Sequence, residues 1–309
     1  MKEIVVISGK GGTGKTSLTA AFAALANGAV LADCDVDAAD LHLILDPQVY
    51  AQNDFISGHE AVIRQRKCIG CGACQAFCRF EAVRQTDILT LTGKKIPVID
   101  PFACEGCGVC VHFCPVKAID FPSRHCGAWY LSTTRFGPMV HARLGVAEEN
   151  SGKLVSLVRR EARRVATEEG RGLILVDGPP GIGCPVIASV TGASAVLVVT
   201  EPTLSGVHDM ERVMELAAHF RLPVHVCVNK WDINADMTGR IETKAIDAGA
   251  VAVGRVPFSA DVTKAQLAGK SLVEYSDGPV VAAIRKIWNS LCWHTRANEA
   301  SKCEYSITN

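Results

Sequence analysis

The sequence lacks an excess of charge of either sign, a long apolar run and a recognisable secretion signal. It has 32 Lys and Arg residues against 32 Asp and Glu residues, which argues against a strongly basic nucleic-acid-binding protein. No segment has the ~20 uninterrupted apolar residues that a membrane-spanning helix needs. A short apolar stretch after Met1 leads straight into a glycine-rich loop, whereas a signal peptide needs a longer apolar stretch and a cleavage site, so we expect none. We therefore expect a cytoplasmic protein with no transmembrane segment and no nucleic-acid partner.

Cysteine, in contrast, is abundant, with 14 residues in a chain of 309. Eight of them form two copies of the spacing C-x-x-C-x-x-C-x-x-x-C. The first run is Cys68, Cys71, Cys74 and Cys78, and the second is Cys104, Cys107, Cys110 and Cys114. In a reducing compartment such dense cysteines favour metal ligands over a disulfide framework. Zinc is the alternative metal, but zinc sites usually pair two C-x-x-C knuckles and not four-cysteine runs.

The two runs resemble those of bacterial-type ferredoxins, which hold two [4Fe–4S] clusters. The resemblance implies that the fourth cysteine of each run binds the cluster of the other run. Cluster one would then be held by Cys68, Cys71, Cys74 and Cys114, and cluster two by Cys104, Cys107, Cys110 and Cys78. Pro115 follows the second run as in ferredoxins, whereas Arg79 stands at that position after the first. That difference affects a turn and removes no ligand.

A phosphate-binding loop follows the first predicted strand. It fits the pattern G-x-x-x-x-G-K-T, and the residues expected to bind the nucleotide are Gly9, Lys10, Gly11, Gly12, Thr13, Gly14, Lys15, Thr16 and Ser17. The glycines let backbone N–H groups turn inward around phosphate oxygens, and the helix that begins near Thr16 adds its positive end. Lys15 is expected to reach the β- and γ-phosphates, and the Thr16 hydroxyl to bind Mg²⁺.

The early lysine of this loop makes it a deviant Walker A sequence, and here the chain resembles the MinD/ParA family of ATPases. The resemblance implies ATP as the nucleotide and ATP hydrolysis as the reaction. It also implies that Lys10 reaches across a homodimer to the ATP of the other subunit, so that ATP closes the dimer. On this basis Lys10 and Lys15 are candidate catalytic residues.

Further family positions lie at the ends of predicted strands. Asp35 corresponds to the switch acid that orients the attacking water, with Asp33 and Asp37 as alternatives, although a carboxylate here can also cap the next helix. Asp177 resembles the acid near the Mg²⁺ shell in the second switch, and Gly181 the glycine near the γ-phosphate.

Two later residues resemble positions that contact the base. Asn229 corresponds to the adenine-recognition position, and Pro257 to the residue whose neighbouring backbone packs on the base. Both residue types also serve simply as turn formers.

The order of predicted elements indicates an α/β fold, a doubly wound and mostly parallel sheet with a small inserted ferredoxin-like α+β domain. We expect the ATPase domain to be discontinuous, covering 1–57 and 123–294, with the insert at 58–122. The core of the insert is small, so its clusters should supply much of its folding energy. The last helix is expected at Pro279–Leu291, followed by a polar tail over 295–309.

Six cysteines remain outside the two runs, and most are expected to be small buried hydrophobes. Cys184 is the exception, because it lies seven residues after Asp177, at an offset similar to that of a bridging-cluster ligand in the nitrogenase iron protein. This suggests a third cluster shared between subunits. Cys126 is the one candidate for a second ligand in each subunit.

Three functions fit these motifs. In the first, ATP binding and hydrolysis gate electron transfer through the two clusters to an unidentified redox or iron–sulfur partner. The second is a cluster assembly factor or carrier, although four thiolates hold a cluster tightly. The third is a positioning ATPase, which calls for an amphipathic or basic face. Candidate faces are the apolar residues Ile284, Ile287, Trp288 and Leu291, which we expect to be core, and the basic residues Arg159, Arg160, Arg163 and Arg164, which we expect to be solvated.

Overall fold

A computed structural model describes residues 1–26, 28–145 and 151–305. The chain divides into two compact units. The first contains Met1–Asn53, Trp129–Arg143 and the chain from Ser151 onward, and the second is mainly Asp54–Ala128.

The described strands and helices are as follows. The strands are β1 (Lys2–Ser8), β2 (Val30–Asp33), β3 (Gln48–His59), β4 (Val62–Ile63), β5 (Val83–Leu89), β6 (Lys95–Ile99), β7 (Ile119–Asp120), β8 (Ser123–Thr134), β9 (Gly137–Leu144), β10 (Leu173–Pro180), β11 (Ala195–Thr200), β12 (Val224–Asn229) and β13 (Val251–Val256). The helices are α1 (Lys15–Ala26), α2 (Leu41–Leu45), α3 (Ala73–Phe77), α4 (Val109–His112), α5 (Ser151–Glu168), α6 (Cys184–Val190), α7 (Leu204–His219), α8 (Ala235–Asp247), α9 (Asp261–Leu267), α10 (Leu272–Tyr275) and α11 (Pro279–Tyr305).

The large sheet has the strand order β13-β12-β11-β1-β10-β2-β9-β8-β3. From β13 to β9, each neighbouring pair runs parallel. The predicted α/β fold with a mostly parallel central sheet is therefore confirmed. The sequence did not predict β3, β8 and β9, which extend one side of the sheet.

Strand β1 shows why this sheet is covered on both faces. Successive side chains of a strand point to opposite faces, and Ile4, Val5, Val6 and Ile7 are all buried. Ile4 and Val6 belong to a core cluster with residues of α1 and α11. Because the strands are parallel, the loops after β1, β2 and β10 start at the same edge, which is where an α/β sheet binds ligands.

The second unit has a much smaller core. Two antiparallel strand pairs, β4–β7 and β5–β6, accompany the short helices α3 and α4. Its buried apolar cluster consists of Ala61, Cys74, Ala82, Val83, Ile99 and Ile119. Cys78, Cys104, Cys110 and Cys114 pack against that cluster, so cysteines of both runs help to form the interior of the unit.

The last helix differs from the prediction. It begins at Pro279 as expected but runs to Tyr305, well past the predicted end at Leu291. The segment between 292 and 305 contains neither Gly nor Pro and is rich in good helix formers, so no stop signal ends the helix. The predicted tail over 295–309 is thus helical as far as 305, and 306–309 lie outside the described residues. No helix in the described part of the chain is long and apolar enough to cross a membrane.

Candidate functional site

The phosphate loop connects β1 to α1 and turns through two glycines with positive φ. Gly12 has φ 80° and Gly14 has φ 89°, a region that side-chain-bearing residues rarely adopt. A Cβ on Gly12 would meet open space, whereas a Cβ on Gly9 would overlap the side chain of Asp209. The Ser8 hydroxyl donates to the carbonyl oxygen of Lys10 at 2.6 Å, which fixes the entry to the loop.

Lys15 and Asp35 face each other across the site. The Lys15 Nζ lies 3.7 Å from Asp35 Oδ2, and the lysine side chain is only 5% exposed. Burial raises the pKa of the Asp35 carboxyl to about 6, although the Lys15 ammonium pulls it down. Of the three candidate switch acids, Asp35 is the one that contacts the phosphate-loop lysine, while Asp37 is exposed.

Asp177, at the end region of β10, joins the second switch to α1. Its Oδ2 accepts a hydrogen bond from Thr16 Oγ1 at 2.7 Å, and its Oδ1 accepts one from Thr19 Oγ1 at 2.9 Å. Burial raises the pKa of this carboxyl, and Lys15 opposes the shift. Asp33 is also fully buried, and both its burial and the Asp177 charge raise its pKa. Carboxylate and hydroxyl oxygens therefore meet beside the loop, a donor set suited to Mg²⁺.

The early lysine of the loop is held by residues that the sequence did not single out. Lys10 Nζ lies 3.5 Å from Glu201 Oε2 and within 3.4 Å of Ser205 Oγ. Lys230 Nζ lies 2.5 Å from the other oxygen of Glu201. An acid directly after β11 was the available sequence signal for Glu201. Within one chain, Lys10 is thus paired by its own subunit.

A cavity of about 780 Å³, including the part open to solvent, lies beside the loop. Its lining includes Gly12, Gly14, Ser17, Asn229, Lys230, Pro257, Phe258 and Gln266. Asn229 Nδ2 donates to the carbonyl oxygen of Thr13 at 2.8 Å, so Asn229 supports the loop from the cavity side. Gln266, absent from the predicted set, donates to Ser17 Oγ at 2.9 Å. Gly181 directly follows β10, the strand that pairs with β1, and its N–H donates to the Ser8 carbonyl.

The eight cysteines of the two runs line two further cavities in the second unit. One is lined by Cys68, Cys71, Cys74 and Cys114, and the other by Cys78, Cys104, Cys107 and Cys110. We call these the first and the second cysteine cavity. They measure about 330 Å³ and 350 Å³, again including space open to solvent. Each cavity contains three cysteines of one run and the fourth cysteine of the other, the grouping that the ferredoxin resemblance implied.

Among the described residues, no group of three or more His, Cys, Asp or Glu side chains is placed to hold a metal ion. Each set of four cysteines instead lines a cavity. Burial, aided by the neighbouring Cys104 and Cys107, raises the pKa of the Cys110 thiol to about 11. The Cys110 thiol would therefore release its proton on binding iron.

The two cysteines considered for a bridging cluster have different environments. Cys184 is exposed at the start of α6. Cys126 is fully buried, and its thiol donates to the carbonyl oxygen of Ser57. Cys126 therefore does not present its sulfur to solvent, and the shared third cluster stays a prediction based on Cys184.

The faces considered for membrane or DNA binding have internal roles. The apolar face of α11, at Ile284, Ile287, Trp288 and Leu291, is buried in the core as predicted. The basic cluster on α5 is only partly a solvated face, because Arg159 is buried against Glu3 and Arg163 contacts the same carboxylate. Arg164 pairs with Glu161 and Glu168, and Arg160 with Glu161. These arginines form a carboxylate-paired network.

Comparison with known proteins gives a family model and several relatives. The model of the CobQ/CobB/MinD/ParA nucleotide binding domain matches residues 4–273. An uncharacterized protein of Methanocaldococcus jannaschii is 32% identical over 292 residues, which cover 94% of this chain and 96% of that protein. Two solved structures have a TM-score of 0.54: the MinC:MinD cell division complex of Aquifex aeolicus and the cell division ATPase MinD of Pyrococcus furiosus. Each similarity covers 94% of this chain, at 20% and 16% identity, and 96% and 98% of the compared chains.

Proposed function

We propose, because this chain belongs to the CobQ/CobB/MinD/ParA nucleotide-binding family, that it is an ATPase of the MinD/ParA type whose ATP-bound form is a homodimer. The observation that carries this proposal is the convergence of Lys15, Asp35, Thr16 and Asp177 at one edge of the sheet. The triphosphate supplies negative charge that Lys15 can pair with in place of Asp35. Asp35 would then be released to orient a water molecule.

The residues beside the loop fit Mg²⁺. Thr16 Oγ1 and Asp177 Oδ2 are 2.7 Å apart, and both are hard oxygen donors. Mg²⁺, when bound, neutralises charge on the phosphates. Asp177 would accept hydrogen bonds from the ligand shell of Mg²⁺, while the Thr19 hydroxyl continues to donate to its second oxygen. Burial raises the pKa of Asp177 and so disfavours its charged form. A bound cation would stabilise that charge, which is why these residues fit Mg²⁺.

The homodimer proposal depends on Lys10. In the single chain, Glu201 and Ser205 hold this lysine, whose side chain is 37% exposed. Dimerisation would exchange that exposed ion pair, which contributes little on its own, for contact with the ATP of the partner subunit. The nucleotide cavity, lined by Asn229, Pro257 and Phe258, would take the adenine.

A second function is favoured by a separate observation, the two four-cysteine cavities. Their donor sets fit [4Fe–4S] clusters, because each offers four thiols around a space and the surrounding core is too small to be stable without help. Clusters, when bound, exchange single electrons. The second unit would then be an electron relay, and the nucleotide state would control its access to a redox partner.

The comparisons favour the positioning type of ATPase over electron transfer, since both of the similar structures named above contain cell division proteins. The similarity to those structures concerns the fold, whereas the cysteine cavities are a feature of this chain itself. We therefore place nucleotide-controlled association with a partner first, and electron transfer through the clusters second. Cluster delivery ranks third, because four thiolates per cavity hold a cluster firmly.

Steady-state hydrolysis of ATP by the full chain tests the proposal. We expect phosphate release that requires Mg²⁺ and falls ~100-fold or more in Lys15→Ala. Lys95→Ala, which removes an exposed lysine at the start of β6, is the matched control and should keep the rate. Hydrolysis by Lys15→Ala at the rate of the unmodified chain would contradict the proposal.

A further inference from the structure

The two cysteine cavities are related residue by residue. Every residue that lines the first cavity has a counterpart 36 positions away in the chain that lines the second, as Cys68 has Cys104 and Cys114 has Cys78. Two copies of one unit thus enclose nearly equivalent sites. A difference in their redox behaviour can then come from the lining positions at which the copies differ, from hydrogen bonds to the sulfurs or from charges nearby.

Among these lining positions, one pair differs in charge. Ile69 lines the first cavity, and its counterpart Glu105 lines the second. Glu105 is exposed, and within the described residues no ion pair neutralises its carboxylate. Reduction of a cluster adds one negative charge to its cavity. The Glu105 carboxylate therefore disfavours reduction in the second cavity, whereas Ile69 adds no such repulsion in the first.

Hydrogen bonds to sulfur act in the same direction. The Gly70 N–H donates to Cys68 Sγ at 3.4 Å, and the Ala118 N–H donates to Cys114 Sγ at 3.2 Å. Both sulfurs line the first cavity. In the described chain, the matching amides of Gly106 and Ala82 do not make this bond to sulfurs of the second cavity. Donors to a thiolate sulfur stabilise the more negative, reduced form.

Charged residues also lie next to the lining residues of both cavities in sequence. Lys117, three residues after Cys114, has Glu81 as its counterpart after Cys78, and both adopt positive φ. This pair strengthens the difference between the cavities, and Arg79 beside Cys78 opposes it.

Two further arginines each donate a hydrogen bond to a backbone carbonyl near one of the cavities. Arg64 donates to the Lys117 carbonyl on the first side, and Arg124 donates to the Cys104 carbonyl on the second. One of these two arginines lies on each side, so this pair does not separate the cavities. The lining carboxylate and the two N–H···S bonds decide the order.

We infer that the first cysteine cavity is the high-potential site, with Glu105 and the Gly70 and Ala118 amides setting the order of reduction. This inference rests on the proposed clusters. A low-potential one-electron donor would reduce the first cavity before the second, so electrons that enter the relay come to rest on the side of Cys68. No proton or bond changes are needed, because each step transfers one electron to one cluster.

The test is a redox titration of the full chain, loaded anaerobically with iron and sulfide and followed by electron paramagnetic resonance. We expect two separate one-electron midpoints. Glu105→Gln should raise the lower midpoint and leave the upper one unchanged, and Ile69→Glu should lower the upper one. Asp54→Asn, which removes a carboxylate of the same unit that lines neither cavity, is the control and should move neither midpoint.

A single shared midpoint, or movement of the upper midpoint by Glu105→Gln, would overturn this inference while leaving the clusters in place. A chain that takes up no iron would overturn both this inference and the electron-transfer part of the proposed function. Because Glu105→Gln is conservative and lies at the surface, its iron content should match that of the unmodified chain.

Discussion

Thr16 Oγ1 donates a 2.7 Å hydrogen bond to Asp177 Oδ2, and this bond joins the start of α1 to the end region of β10. The two residues are 161 positions apart in sequence. A second hydroxyl, that of Thr19, holds the other oxygen of the same carboxylate at 2.9 Å. The Asp177 carboxyl group is thus held in one orientation in the absence of a cation, which favours cation binding because less conformational freedom is lost on binding.

Thr16→Ala should raise the Mg²⁺ concentration that hydrolysis requires. Loss of the hydroxyl removes a ligand for Mg²⁺, so we expect a drop of ~100-fold in rate at low Mg²⁺ with partial recovery at high Mg²⁺. Thr19→Val is the matched control, because Thr19 holds the same carboxylate from the side away from the loop. It should lower stability while the Mg²⁺ concentration for half-maximal rate changes little. Equal effects of the two substitutions on that concentration would refute separate roles.

The pH profile of hydrolysis should report Asp35. Burial raises the pKa of this carboxyl to about 6, so it is protonated below that pH and charged above it. A carboxylate that orients water works only when charged, and kcat/KM should therefore fall about tenfold per pH unit below pH 6. The low residual kcat/KM of Asp35→Asn should no longer fall below pH 6, whereas that of Asp37→Asn should still fall. If the fall below pH 6 persists in Asp35→Asn, another group causes it.

Asp33→Asn should stabilise the chain in the absence of Mg²⁺. The pKa of Asp33 is raised by burial, by Asp177 and by Asp35, so the folded state resists its ionisation. For such a group, stability is fully present below its ordinary pKa and is lost as the pH rises past the raised value. At pH 8 we expect Asp33→Asn to add about 1–2 kcal/mol to the free energy of unfolding in urea. The exposed Asp37→Asn is the control; a loss of stability in Asp33→Asn would contradict the account.

Lys10→Ala should separate nucleotide binding from hydrolysis. If ATP is hydrolysed in a dimer, the rate per chain of the unmodified protein rises with protein concentration. Lys10→Ala should bind a fluorescent ATP analogue with affinity within about threefold of normal, since Lys15 remains, but its rate should be low at every concentration. Lys95→Ala provides the control. A concentration-dependent rate in Lys10→Ala would show that Lys10 does not act across the dimer.

The parallel core of the fold followed from sequence because its signals are local. β1, β2, β11 and β13 are short, apolar and bounded by turn residues, and the phosphate loop fixes where the first helix begins. The sequence did not predict β3, β8 and β9. β3 is largely polar and exposed, β8 has a mixed burial pattern, and β9 begins with Gly137 and Pro138, a pair that is typical of a turn. The C-terminal helix runs past its predicted end because polar residues without Gly or Pro do not stop a helix.

Within the site, motifs predict the residues of the phosphate loop and of the two switches. Residues that reach the loop only through tertiary contacts are not predicted by any motif. Glu201, Ser205 and Gln266 reach the phosphate loop from elements about 190 to 250 residues away, and no motif marks them. The four-cysteine groupings were inferred from a family resemblance, and the structure places the same thiols around two cavities. Spacing alone could not decide which fourth cysteine joins which run.

If the proposed function is right, ATP joins two copies of this chain. The molar mass of the intact protein shows this directly when it is measured by light scattering on a sizing column with Mg²⁺ and either ADP or a nonhydrolysable ATP analogue. We expect the mass of one 32.9 kDa chain with ADP and twice that mass with the analogue. The same mass in both nucleotide states would contradict it.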